Sequence, residues 1–102
     1  MWYFYLAYFI AGFFLVNGVP HFVNGISGRK FQSPFAKPPA VGESSAIVNV
    51  IWGLVNFAIG YALVWAVGDF KRGFTLDMLM LELGAVVGAV ALAWWFGRVH
   101  KG

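Results

Sequence analysis

The chain has 102 residues, of which 61% are hydrophobic and 11% charged, and its mean hydropathy is +0.76. Soluble domains carry roughly 25% charged residues, so this composition excludes a water-soluble globule and makes lipid the solvent for most of the surface. The net charge of +3 sits in short stretches between apolar runs, which reads as topology signals and headgroup contacts and excludes a nucleic-acid footprint.

The length allows one membrane domain, residues 1–102. With no cysteine in the chain, disulfides, iron–sulfur clusters and thiolate metal sites are ruled out.

The first apolar run, from Trp2 to about Val19, lacks a basic start and a small-x-small cleavage site, and is crowded with aromatics. It is expected to be a retained span and not a cleaved leader. Pro20 is expected to kink or end it, because proline has no amide donor and clashes with the preceding turn.

Next comes a 25-residue loop, PHFVNGISGRKFQSPFAKPPAVGES, too rich in proline, glycine and basic residues to cross a bilayer. An interfacial helix around His21–Ile26 fits its start, and Pro34–Pro39 must be extended or turned. Arg29, Lys30 and Lys37 in this loop are expected to touch anionic headgroups. Its G-I-S-G-R-K run lacks the spacing and the preceding strand of a phosphate-binding loop.

The second span runs from about Ser45 to Val67, with Ser44 or Ser45 as N-cap. The third runs from about Leu76 to Gly97, capped by Thr75, with Asp77 in its positive first turn. Each is long enough to cross about 30 Å of hydrocarbon as a helix, and none alternates as a barrel strand would. The expected fold is therefore an all-α integral membrane protein with three transmembrane helices.

Arg29, Lys30, Lys37, Arg98 and Lys101 lie on one side of the membrane, and Lys71 and Arg72 on the other. The positive-inside rule then puts the long loop and the C-terminus in the cytoplasm and the N-terminus outside.

Helices in lipid meet through small residues and polar glue. Asn49, Gly53, Asn56 and Gly60 share one face of the second span, and Gly84 and Gly88 form a G-x-x-x-G pair in the third. Ala7, Ala11, Gly18 and, if the helix continues, His21 share a face of the first. Three helices bury little surface, so a homo-oligomer or a larger membrane complex is expected besides the lipid bilayer.

An ionisable group inside a span is costly and marks a functional candidate. Glu82 lies roughly 10 Å into the third span, at the counted depth of Tyr8 and Tyr61. A phenol–carboxyl cluster there would support proton or cation exchange; the plainer account is a shallow Glu82 paired with Lys71 or Arg72. A second cluster, Asn17, His21, Asn49 and Asn56, gathers toward the inner boundary. One histidine among amides is a poor metal set, and His100 lies too near the chain end to complete it, so no metal or cofactor is expected. No catalytic constellation is readable.

The stretch N-G-V-P-H-F-V-N-G-I-S-G-R-K-F-Q-S-P-F-A-K-P-P (Asn17 to Pro39), followed by S-S-A-I-V-N-V-I-W-G-L-V-N-F (Ser44 to Phe57), resembles a group of uncharacterised small bacterial inner-membrane proteins. The resemblance covers the first two spans and the loop. It implies a bacterial cytoplasmic-membrane location and transfers no catalytic residue.

The leading expectation is a non-enzymatic oligomeric or accessory membrane component. The alternatives are a solute or proton transporter acting through Glu82 and Asn49/Asn56, and a lipid-handling enzyme using His21.

Overall fold

The computed structural model describes residues 1–101. Three helices carry the fold: α1 (Trp2–Ile26), α2 (Ala46–Trp65) and α3 (Leu76–Lys101). All three are long and apolar enough to cross a membrane. Their many outward apolar side chains, such as Leu54, Val90 and Trp94, suit lipid as the surrounding solvent.

The first helix corrects the expected boundaries. It does not stop near Val19 and no 25-residue loop follows; α1 runs through Pro20 to Ile26. In hydrocarbon a freed backbone group has no water to turn to, so keeping the remaining helical bonds costs less than breaking the helix. The side chain of Asn24 adds support by donating to the Pro20 carbonyl at 2.8 Å. The helix ends where Gly28 adopts φ +74. There the Gly28 amide returns to the Gly25 carbonyl, and the Arg29 amide to the Asn24 carbonyl. This paired closure suits a glycine just past the helix end.

The connection, residues 27–45, is a folded hairpin. Strand β1 (Phe31–Gln32) pairs antiparallel with β2 (Glu43–Ser44), Phe31 opposite Ser44 and Gln32 opposite Glu43. Ser45 then caps α2, accepting from the Val48 amide at 3.2 Å. Thr75 caps α3 by accepting from the Met78 amide at 3.2 Å, while Asp77 accepts from the Lys71 amide at 2.8 Å. Beside these, Asp69 pairs with Lys71 at 2.8 Å and holds its ammonium above the usual lysine range.

α1 is the middle helix: it packs against both α2 and α3, which share no comparable interface. Glycines set both seams. A Cβ on Gly18 would lie 2.7 Å from the Phe57 ring, and one on Gly53 would lie 2.8 Å from the Phe22 amide. Likewise Gly60 meets Leu15 and the Ala11 carbonyl, and Gly25 meets Val50. On the other side Gly12 rests on the Leu81 carbonyl, Gly84 on the Phe9 carbonyl and Gly88 on Phe13 and Val16. From Phe9 against Gly84, through Val16 against Gly88, to His21 against Phe96, the numbering rises together along α1 and α3, whereas the α1–α2 pairings run oppositely, so α3 is parallel to α1 and α2 antiparallel. The stripes that receive them lie roughly 150° apart around α1 at 3.6 residues per turn. The helices therefore form a shallow layer in the order α2–α1–α3.

Candidate functional site

The polar residues toward the hairpin end form a ladder across the α1–α2 seam. Asn17 Nδ2 donates to Asn56 Oδ1 at 2.8 Å, and Asn56 Nδ2 donates to the Trp52 carbonyl at 2.8 Å. One turn nearer the hairpin, His21 Nδ1 lies 2.8 Å from Asn49 Oδ1. The Asn49 amide nitrogen faces the carbonyls of Phe31, Ser44 and Ser45 at 3.0–3.1 Å. With that nitrogen fixed as donor, Asn49 Oδ1 must accept, so His21 carries its hydrogen on Nδ1. Asn49 and Asn56 are fully buried and His21 is 3% exposed. His21 and Asn49, Asn17 and Asn56 are thus brought together by helix spacing on two facing surfaces.

Asn49 is also a hub. Through Phe31 and Ser44 it ties both hairpin strands to α2, and through His21 it ties them to α1. Phe31 packs against His21 at 5.4 Å and Phe96 at 4.7 Å between ring centres. Gln32 and Ser33, buried in the hairpin, extend the network. Gln32 Oε1 accepts from His100 Nε2 at 2.8 Å, and the Ser33 and Ser44 hydroxyls bond each other. The Trp95 indole donates to the Ala40 carbonyl at 2.9 Å. The hairpin therefore spans the ends of all three helices.

Gln32, Ser33, Ser44, Trp95 and His100 carry this closure, and reading the sequence did not single them out for it. Their partners lie far along the chain, and no local pattern links them. Among the described residues, His21 and His100 join no group of three or more His, Asp or Glu side chains.

At the opposite end the three residues expected to converge are spread over three helices. Tyr8 is buried and donates to the Val67 carbonyl at 2.7 Å, with Phe70 edge-on at 4.9 Å. Tyr61 is 65% exposed, leaning toward Trp65. Glu82 is exposed beside an open groove of about 450 Å³ shared with Phe74, Thr75 and Leu79. No hydrogen bond joins Glu82 to either tyrosine, and among the described residues it has no ion pair with Lys71 or Arg72.

The basic residues expected to touch headgroups lie at the hairpin end. Arg29, Lys30 and Lys37 are exposed, and Arg29 also reaches Asn24 Oδ1 at 3.2 Å. Arg98 lies over the Trp94 ring, 4.8 Å from its centre. The Gln32–His100 bond sets the hairpin and the C-terminal end of α3 on one side of the layer.

Comparison with known proteins adds a limited likeness. The membrane sensor protein UhpC of Salmonella typhimurium is 28% identical over 91 residues, which is 88% of this chain and 18% of that protein. The chain thus spans under a fifth of the length of the curated relative it matches. No family model matches, and no solved structure matches. The spans and this likeness agree on a membrane protein.

Proposed function

We propose that the chain is a non-enzymatic membrane component that works by assembling, either with copies of itself or with a larger membrane complex. The observation that carries this reading is how the buried polar groups are used. Asn17 and Asn56, and His21 and Asn49, are spent on one another and on backbone carbonyls. Among the described residues no buried side-chain nitrogen or oxygen lacks a partner. Such groups fix helix register and a hairpin closure; a catalytic or conducting group needs a free valence facing substrate or water.

The same fact weighs against the two competing readings. A path lined by Asn49 and Asn56 would require both to leave a fully buried, hydrogen-bonded state. An enzyme using His21 would need access to an imidazole enclosed by Phe31, Trp52 and Phe96.

The location proposed is the bacterial cytoplasmic membrane, with the hairpin and C-terminal end inside and the N-terminus outside. Basic side chains at the hairpin end would rest against anionic headgroups there. Labelling single cysteines placed at Lys37 and Arg72 in intact cells tests the orientation: only position 72 should react with an impermeant reagent.

The oligomer test is mass measurement in detergent and in lipid vesicles across a dilution series. A complex larger than one chain, or stoichiometric capture of another membrane protein, is expected. A strictly monomeric species with no partner would overturn the proposal.

A further inference from the structure

In the outer half of the layer, α2 and α3 each present one polar side chain that a single chain does not satisfy. Glu82 and the Tyr61 hydroxyl are exposed within spans, and among the described residues neither has a hydrogen-bond partner. A carboxylate facing hydrocarbon is expensive, and such a group ordinarily faces protein or water.

Their placement is informative. Gly60, just before Tyr61, packs on α1 at Ala11; Leu81, just before Glu82, packs on α1 at Gly12. The two residues therefore lie at nearly the same depth. Each is also one helical step, about 100°, past a residue that faces α1. Because α2 is antiparallel and α3 parallel to α1, on opposite flanks, both steps turn toward the same open face of the layer.

We infer that this face is the contact between two copies of the chain, related by a two-fold axis along the membrane normal. The inference rests on the assembling role proposed above. Turning one layer through 180° onto another brings α2 of each copy against α3 of its partner, antiparallel. The Tyr61 hydroxyl then donates to the Glu82 carboxyl of the other copy, twice, as an isologous interface requires.

The register that makes this pair makes a second. Seven residues inward, Leu54 on α2 meets Ala89 on α3. Leu54 is half exposed. Ala89 and Ala93 belong to an apolar groove of about 330 Å³, walled by Val16, Val19, Pro20 and Phe96 between α1 and α3. A large side chain thus faces a groove opened by two alanines, Ala89 and Ala93, and such small residues let helices approach closely in lipid.

The test uses the natural absence of cysteine. Chains carrying Leu54→Cys and chains carrying Ala89→Cys are mixed in phosphatidylglycerol–phosphatidylethanolamine vesicles and oxidised, which leaves Tyr61 and Glu82 untouched. A mixed disulfide dimer is expected, since bonding requires Cα atoms within about 7 Å. Chains mixed as Leu54→Cys with Val90→Cys should give little. In parallel, Glu82→Ala and Tyr61→Phe should each weaken dimerisation roughly eightfold to 300-fold, because each removes both copies of an interhelical hydrogen bond. Their effects should not add, and Glu82→Gln, which keeps an acceptor, should recover most of the loss.

Dimers that form without the 54–89 disulfide, or that ignore Glu82→Ala, would overturn this interface and leave the assembling role standing. Chains that stay monomeric at every concentration and capture no other membrane protein would overturn both. Chains that are monomeric alone but bind another membrane protein would overturn only the two-fold contact.

Discussion

The two seams of α1 reach the same closeness by different means. Toward α2, glycines at positions 18, 25, 53 and 60 are interleaved with the Asn17–Asn56 and His21–Asn49 bonds. Toward α3, Gly12 and Gly84 bring backbone onto backbone and Gly88 admits the Phe13 and Val16 side chains, while the polar ties run through the hairpin to Trp95 and His100. Glycine contact supplies proximity and dispersion energy but tolerates sliding. A hydrogen bond between two buried side chains tolerates little, because a one-residue slip leaves both unpaired. The α1–α2 seam is built for register and the α1–α3 seam for closeness.

The sharpest way to break this contrast is to add bulk on the α3 side. Gly84→Leu would drive its side chain into the Phe9 carbonyl and should cost about 3 kcal/mol or more. Thermal melting in detergent should show the drop, while Gly97→Leu, whose Cβ meets nothing nearby, should not fall. Next in size is Asn49→Ala, which strands the His21 Nδ1–H and three carbonyl contacts. It should cost roughly 1–3 kcal/mol in a reversible unfolding assay and accelerate amide exchange in residues 27–45.

Asn56→Ala removes one rung and should cost about 0.6–1.7 kcal/mol. Replacing Asn17 and Asn56 together by leucine should cost less than the two single losses summed, since no orphaned amide remains.

His100→Ala should leave helix unfolding unchanged within about 1 kcal/mol. It should instead speed tryptic cleavage after Arg29 and Lys30, because the hairpin loses one of its two hydrogen bonds to α3. Smallest of all is Ala40→Gly. Ala40 holds φ +63, where glycine is at ease, so a gain below about 1 kcal/mol in hairpin stability is expected.

Much of the architecture was legible because lipid makes hydropathy and length decisive. The three spans, the Ser45 and Thr75 caps and the Asn49–Gly53–Asn56–Gly60 face all follow from local spacing. Pro20 misled for a definable reason: its usual effect in water is to break a helix, and here no solvent competes for the freed carbonyl. A counter-signal was present in Gly28, placed as a helix-ending glycine would be after Ile26. The pairing of His21 with Asn49 follows once α1 is extended, since His21 then joins the Ala11–Gly18 face. The hairpin closure was not legible, because Gln32 and His100 are 68 residues apart and Trp95 and Ala40 are 55 apart. Equal depth of Tyr8, Tyr61 and Glu82 was readable too. Counting depth says nothing of lateral distance, and three helices side by side keep the three groups apart.

Those long separations carry a consequence for the order of events during synthesis. The hairpin emerges from the ribosome well before α3, yet two of its hydrogen bonds wait for the last two turns of that helix. Until then the Gln32 side chain and the Ala40 carbonyl have only water as partners. Docking of the hairpin onto α3 is therefore a late step, reached once that helix has been inserted in the correct direction. A chain that stalls, or that inserts α3 the wrong way round, would leave an undocked hairpin at the membrane surface, a feature that distinguishes it from a finished molecule.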